Sequence, residues 1–310
     1  MRNIFEEIVI TNKFVIQNAK YVSIKDKNII EFANKIDKIK VNNWLETSSY
    51  DLLNENIEDI INFLLYFEAI DFSFWGDPKW SIETNEGIKD GSIALMYAML
   101  GYFRKNKNFI NMNKEEFREL LKGNIEIPLF EERWKIIKYV NNVISKEMDG
   151  NFYRKIYNLK TDIELINFII SNFKNFKDER IYRKRKIYFY KLAQLLTSDI
   201  LHMREKKEKI KVDYTNLIGC SDYKIPQVLR ALNLIEYNLE LANLVDNKIE
   251  IKENSEYEVE MRASVIYVIN QIKQLTNNIN SIDINDYIWL MGRDKKLIKK
   301  PYHLTRSTNY

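Results

Sequence analysis

The amino-acid sequence predicts an all-α or mostly α protein, a single helical domain over residues 1–310 with a few short strands. Three observations carry that expectation. The composition is 45% hydrophobic and 30% charged with only 8 Gly and 4 Pro, the balance of a folded helical chain and not of a disordered or sandwich-type one. Apolar residues recur with helical spacing in several long windows. No internal repeat and no low-complexity linker divides the chain, and 310 residues suffice for one large core with an enclosed pocket.

The elements follow in order. The opening MRNIFEEIVITNKF has Glu6 and Glu7 where a secretory peptide carries its apolar run, and no segment reaches the roughly 18 apolar residues that span a bilayer. A cytoplasmic protein without a membrane partner is therefore expected. Ile57, Ile60, Ile61, Leu64 and Leu65 mark a buried helix that runs to about Asp71. Gly91-Ser92 opens a second apolar helix through Leu100, and Asn113 with Glu116 forms a capping box for a helix closed by Gly123. Further helices are expected at 131–148, 162–172 and 187–203, with short strands near 182–188 where IYRKRKIYFY mixes β-branched, aromatic and charged residues. Pro226 suits the first turn of a helix through Leu234, and Ser255 with Glu258 makes a capping box ahead of an apolar face reaching Leu275. The basic runs at 183–186 and 202–211 read as solvated faces or loops.

Composition also excludes function classes. A net charge of +4, from 48 basic and 44 acidic residues, is far from the one-sided charge of a dedicated nucleic-acid binder. One cysteine, Cys220, rules out an internal disulfide, and with His202 and His303 as the only histidines a Cys/His zinc site lacks ligands. No metal and no cofactor is expected, and Cys220 reads as a small buried hydrophobe.

Four segments carry chemistry. FEAIDFSFWGD interleaves Asp71 with Phe72, Phe74 and Trp75 just where the helical pattern stops. SDYKIPQVLRALNLI places Asp222 shortly before a helix start, where the positive end of the helix would keep a carboxylate ionised at neutral pH. FYKLAQLL flanks Lys191 with aromatic residues and an apolar helix face. The tail PYHLTRSTNY sets His303 and Arg306 three apart among hydroxyls that include Tyr310, a composition suited to binding an anion.

Together with PLFEERWKII, SEYEVEMRA and DYIWLMGRD, these segments resemble, in order, the queuosine salvage family of queuosine 5′-phosphate N-glycosylase/hydrolases, over nearly the whole chain from about residue 50. The resemblance implies a fold similar to helical DNA glycosylases and cleavage of queuosine 5′-monophosphate to queuine and ribose 5-phosphate, without a metal or redox cofactor. It implies that Asp222 is the catalytic carboxylate and Lys191 an active-site lysine. Three departures from the family pattern bear on ligand details. Asp71 stands where many members have Asn, the tail lacks the basic residue that often follows its His, and KDGSIALMYAML lacks the aromatic residues relatives carry there.

Glycosidic cleavage passes through an oxocarbenium-like sugar, which a carboxylate beneath the anomeric carbon stabilises while it orients or deprotonates water. Phe72, Phe74 and Trp75 are expected to wall the flat base, with core packing for at least one of them, and Asp71 to accept from its N–H groups. The cationic side arm of queuine calls for Asp71, Asp77 or Glu132. Lys191, His303, Arg306 and Tyr310 are the set expected at the phosphate. The partner is thus a small nucleotide, no nucleic-acid polymer, and a monomer suffices. The alternative is a helical nucleic-acid-binding module, or a base-flipping glycosylase acting on a polymer, with the aromatic residues serving a flipped nucleotide and binding falling steeply with salt.

Overall fold

Two helix pairs frame the molecule: Ile4–Gln17 lies along Glu256–Leu275, and Ile57–Glu68 lies along Lys191–Glu208. The structure, a computed structural model, describes residues 3–39, 41–47 and 52–310. Among these it has thirteen α-helices and three separate two-stranded antiparallel ribbons, so the fold is mostly helical. No helix among the described residues is long and apolar enough to cross a membrane.

The apolar side chains gather in two cores. The larger is built around Ile57–Glu68 and Lys191–Glu208 with Gly91–Asn106 and Phe130–Glu147 against them; the smaller joins Asp26–Ile36, Lys224–Ala231 and Ser281–Met291. Glu256–Leu275 belongs to both, giving Val259, Ala263 and Ile266 to the larger and Val265, Val268, Ile269 and Ile272 to the smaller. The alternation follows from helical geometry, because residues on opposite faces of one helix meet different neighbours. Trp289 packs against both cores, and the candidate site opens at that seam.

Local signals explain most boundaries. Asn113 and Glu116 form the expected capping box, but that helix is Lys114–Leu120 and ends before Gly123. Gly123 has another role, since a Cβ there would stand 2.6 Å from the Trp80 indole nitrogen and 2.4 Å from the Ser81 carbonyl oxygen. The expected strands pair as Glu179–Tyr182 with Arg185–Tyr188, turning at Arg183 and Lys184, both with positive φ. The basic run is thus the exposed end of a hairpin. Because residues 185–188 are strand, the following helix starts at Lys191, later than the spacing predicts, and runs on through the second basic run to Glu208.

The Ser255 cap is present but its box is incomplete. The Ser255 hydroxyl accepts from the Glu258 N–H, whereas the Glu258 carboxylate accepts from the Asn254 N–H at 2.7 Å and turns to Arg180 and Arg262. A buried ion pair outcompetes the last capping bond. Five helices escaped the sequence reading, Ile4–Gln17, Asp26–Ile36, Phe152–Ile156, Leu239–Asp246 and Ser281–Met291, although Phe5, Ile8 and Val15 in the first and Ile29, Ala33 and Ile36 in the second are buried at helical spacing.

Candidate active site

Helix Ile57–Glu68 ends, and residues 69–75 then run as irregular backbone through the interior. Buried carbonyls without a ladder need donors. Arg133, fully buried, supplies them: its guanidinium donates to the carbonyls of Ile70 and Phe72, and its Nε to that of Pro128 at 2.9 Å. The same guanidinium lies 4.4 Å from the Phe72 ring centre and 4.7 Å from that of Phe74. Burial draws its pKa down to about 9, which leaves it cationic at neutral pH. The tail completes the hold, as the Ser73 N–H donates to the Tyr310 carbonyl at 3.0 Å and the Ser73 hydroxyl to that of Ser307 at 2.7 Å.

The Asp222 segment is likewise held by side chains. Gly219, at φ +134, brings the chain so close to helix Glu256–Leu275 that a Cβ would stand 2.9 Å from the Ile269 methyl, a position only glycine fills without strain. The Ile218 N–H donates to Gln194 at 3.0 Å, the Cys220 N–H to Asn285 at 2.8 Å, and the Ser221 hydroxyl to the Arg262 carbonyl at 2.8 Å. Cys220 is buried, as expected of a small hydrophobe. Three helices, Lys191–Glu208, Glu256–Leu275 and Ser281–Met291, therefore fix the segment that carries Asp222.

These segments wall a cavity with about 570 Å³ free of protein atoms, the open solvent at its mouth included. Asp71, Phe72, Phe74, Lys191, Asp222 and Tyr310 all line it. The Lys191 ammonium is 3.1 Å from Asp71 Oδ2 and 3.2 Å from the Asp71 carbonyl. Burial acts to lower the Lys191 pKa, but Asp71, Asp222 and Glu68 around it prevail and hold it above the ordinary value, so it is a fixed cation. The Asp222 pKa moves the opposite way from what a helix start alone would cause. Burial raises its pKa, only partly opposed by Lys191 and Lys224, so it is a stronger base than a solvated aspartate. Enclosure in the cavity wall outweighs the benefit of a nearby helix start.

Sequence reasoning missed a second set of carboxylates. Asp286 lines the cavity, accepts from the Trp44 N–H at 3.1 Å and from Asn285 at 3.3 Å, and is pushed up to about 7 by burial. Asp199 accepts from the Trp44 indole N–H at 3.0 Å. Its other oxygen and both oxygens of Glu68 have no hydrogen-bond partner, and burial, with repulsion from Asp71 and Asp199 on Glu68 and from Asp286 and Asp71 on Asp199, raises both groups well above normal. Both groups are thereby shifted toward their protonated forms. An acidic residue inside the apolar runs LAQLLTSDILHM and SIDINDYIWL is the signal that could have found Asp199 and Asp286; nothing in the sequence around Trp44 marks it.

Three expected residues stay away from the cavity. Trp75 donates its indole N–H to the Thr305 carbonyl at 3.0 Å and has Arg306 over its ring at 4.2 Å, so it is the ring used for packing. His303 is buried with neither ring nitrogen bonded, and burial with the nearby Arg262 lowers its pKa to about 3, leaving a neutral ring unsuited to a phosphate. Arg306 is 45% exposed and 3.8 Å from Glu250, on a different hollow. Of the three acids considered for a cationic side arm, Asp71 lines the cavity while Asp77 and Glu132 do not.

The family described as queuosine salvage protein matches residues 51–310. The chain is 26% identical to the queuosine 5′-phosphate N-glycosylase/hydrolase of Sphaerobacter thermophilus, over 98% of this chain and 97% of that one. It is 27% identical to the enzyme of the same name from Dictyostelium discoideum, over 97% of both chains, and 23% identical to that from Bos taurus, over 96% of this chain and 97% of the other. With a match that takes in every wall of the cavity except Trp44, this chain belongs to the queuosine salvage protein family.

Proposed function

We propose that this protein hydrolyses the N-glycosidic bond of queuosine 5′-phosphate, a salvage reaction that releases queuine and ribose 5-phosphate. The observation that carries the reading is the cavity itself: a carboxylate of raised basicity, Asp222, faces a space walled by Phe72 and Phe74 and containing the buried Lys191–Asp71 pair. As the sugar gains positive charge, Asp222 stabilises it and takes a proton from the attacking water. Lys191 is a positioning residue, holding Asp71 in place and opposing the rise that burial causes in the Asp222 pKa.

Queuine is a flat, donor-rich base with a cationic arm and no ring nitrogen at position 7 to protonate. Asp71 Oδ1, buried and without a partner, is free to accept from it. Asp286, poised near neutrality, either accepts from the base edge or lends a proton to it as the bond breaks. The same reading includes one domain, a chain path like that of helical DNA glycosylases, a monomer, and a free nucleotide as substrate with no polymer.

The test is incubation of the purified protein and its Asp222→Asn variant with queuosine 5′-monophosphate, with free queuine read by mass spectrometry. Release by the wild type, reduced at least about 10³-fold in the variant, is the expected result. No release by the wild type sinks the reading, and salt-sensitive tRNA binding in its place would favour a polymer-binding module.

A further inference from the structure

Three side chains considered for the active site, Trp75, Asp77 and Arg306, meet elsewhere. Together with Lys79, Lys248 and Tyr302 they line a second hollow of about 920 Å³, the open solvent at its mouth included, which shares no lining residue with the cavity. Backbone contacts fix its sides. The Ile251 N–H donates to the Leu304 carbonyl at 2.7 Å and Glu250 bridges to Leu304 in parallel, so the turn that carries Lys248 is pinned beside the stretch of tail that carries Arg306. The indole bond from Trp75 to the Thr305 carbonyl joins the remaining side to the same tail.

Positive charge in this hollow is unmet. Lys79, Lys248 and Arg306 line it against one carboxylate, Asp77. The Lys248 ammonium makes no hydrogen bond or ion pair with the described residues, and the Lys79 ammonium has only the Tyr302 ring, 5.9 Å from its centre. Arg306 makes no hydrogen bond with the described residues either, and its ion pair with the exposed Glu250 is loose at 3.8 Å. Its guanidinium lies over the Trp75 ring at 4.2 Å. An arginine held flat on an indole keeps the N–H groups of its edge available, and these can bind two oxygens of one anion.

The composition of the walls narrows the ligand. Three cations against one carboxylate suit a dianion better than a monoanion. The Tyr302 ring, Pro301 and Leu304 supply apolar wall, which a bare inorganic ion would leave unused and a flat organic body would cover. We propose that Lys79, Lys248 and Arg306 form a second anion site, outside the catalytic cavity, for the phosphate monoester of a small molecule with a flat body, the class of a nucleoside 5′-monophosphate. The site binds and performs no chemistry, and it stands or falls independently of the reaction proposed for the cavity.

The test follows the indole N–H signals of the five tryptophans by NMR at constant ionic strength, with Trp75 identified by the signal lost in Trp75→Phe. The probes are inorganic phosphate and adenosine 5′-monophosphate. A saturable shift of the Trp75 signal at about millimolar ligand is expected, with the nucleotide at least about fivefold tighter than phosphate. In the double variant Lys248→Met, Arg306→Ala, whose other indole signals report that it is folded, the same shift is expected to need about tenfold more ligand or to vanish. Shifts confined to the other tryptophans, or a Trp75 shift that the double variant retains at the same ligand concentration, overturn the site. Equal affinity for phosphate and nucleotide overturns the nucleotide as its occupant. Because the readout is local to Trp75, failure of the glycosidase reading leaves each of these outcomes as decisive as before.

Discussion

Two clusters of buried charge sit on either side of Tyr310, and they are built on opposite principles. Behind its ring, Arg262 grips Asp178 through both terminal nitrogens, with Arg180 3.4 Å from Asp178 and Glu258 3.5 Å from Arg262. Two arginines meet two carboxylates, and Glu253 and Ser307 close the edge. Despite burial, the Asp178 pKa lies below the ordinary value, because the arginines more than offset desolvation. In front of the ring, Lys191 faces Glu68, Asp71 and Asp222, with Asp199 and Asp286 close by, and burial raises Glu68, Asp199, Asp222 and Asp286. The balanced cluster ties the hairpin, the tail and helix Glu256–Leu275 together. The unbalanced one stores unmet demand for donors and positive charge, which a cationic, donor-rich base and an oxocarbenium-like sugar supply.

The comparison breaks most visibly at Arg262. Arg262→Met leaves Asp178 and Glu258 buried beside a single remaining arginine, and a loss of about 3–5 kcal/mol is expected from urea unfolding. A loss below about 1 kcal/mol would mean that the balanced cluster is not what holds these elements together.

The pH dependence of the unliganded protein sharpens the contrast. Asp286 has a folded pKa of about 7 against roughly 3.9 unfolded, so the folded state binds its proton more tightly. Its stabilising contribution is complete below about pH 4 and is lost as pH rises through 7, on the order of a few kcal/mol. Glu68 and Asp199, also raised, act in the same direction. Thermal midpoints are expected to fall between pH 5 and 8, and Asp286→Asn is expected to flatten that slope and to stabilise the protein at pH 8. A midpoint that rises over the same interval would refute the assignment of surplus carboxylate to this side.

A smaller effect is expected at Glu68. Burial already shifts Glu68 well toward its neutral form, so Glu68→Gln keeps its shape and removes little charge, and stability at pH 7 should change by less than about 1 kcal/mol. The same exchange at Asp178 would instead remove a charge that two arginines require.

What could be read from the sequence divides along the same line. The mostly helical class, the Asn113 capping box, the 179–188 hairpin and the shared cavity of Asp71, Phe72, Phe74, Lys191, Asp222 and Tyr310 follow from patterns that act over short stretches or from the family resemblance. Arg133, Asp199, Asp286 and Trp44 did not announce themselves, because their roles depend on partners 60 to 242 residues distant in the chain. An arginine that bonds buried carbonyls has the same sequence appearance as one on a solvated helix face. The tail misled for a related reason: His303 and Arg306 have anion-binding chemistry, but burial discharges the first and the Trp75 ring diverts the second.

Arg306 gives the smallest expected effect and tests the boundary of the site. Its guanidinium is half exposed, near Glu250 and over Trp75, in a hollow that shares no lining residue with the cavity. The exposed ion pair and the contact of the half-exposed guanidinium with the buried Trp75 ring each contribute up to about 1 kcal/mol, so Arg306→Ala should cost no more than about 2 kcal/mol in stability and change kcat/KM for the nucleotide by less than about threefold. A tenfold or greater loss confined to the phosphorylated substrate would show that residues 301–310 move toward the cavity when substrate binds. The tail would then carry part of the phosphate, and the division between a balanced structural cluster and an unbalanced binding cluster would no longer coincide with the two sides of Tyr310.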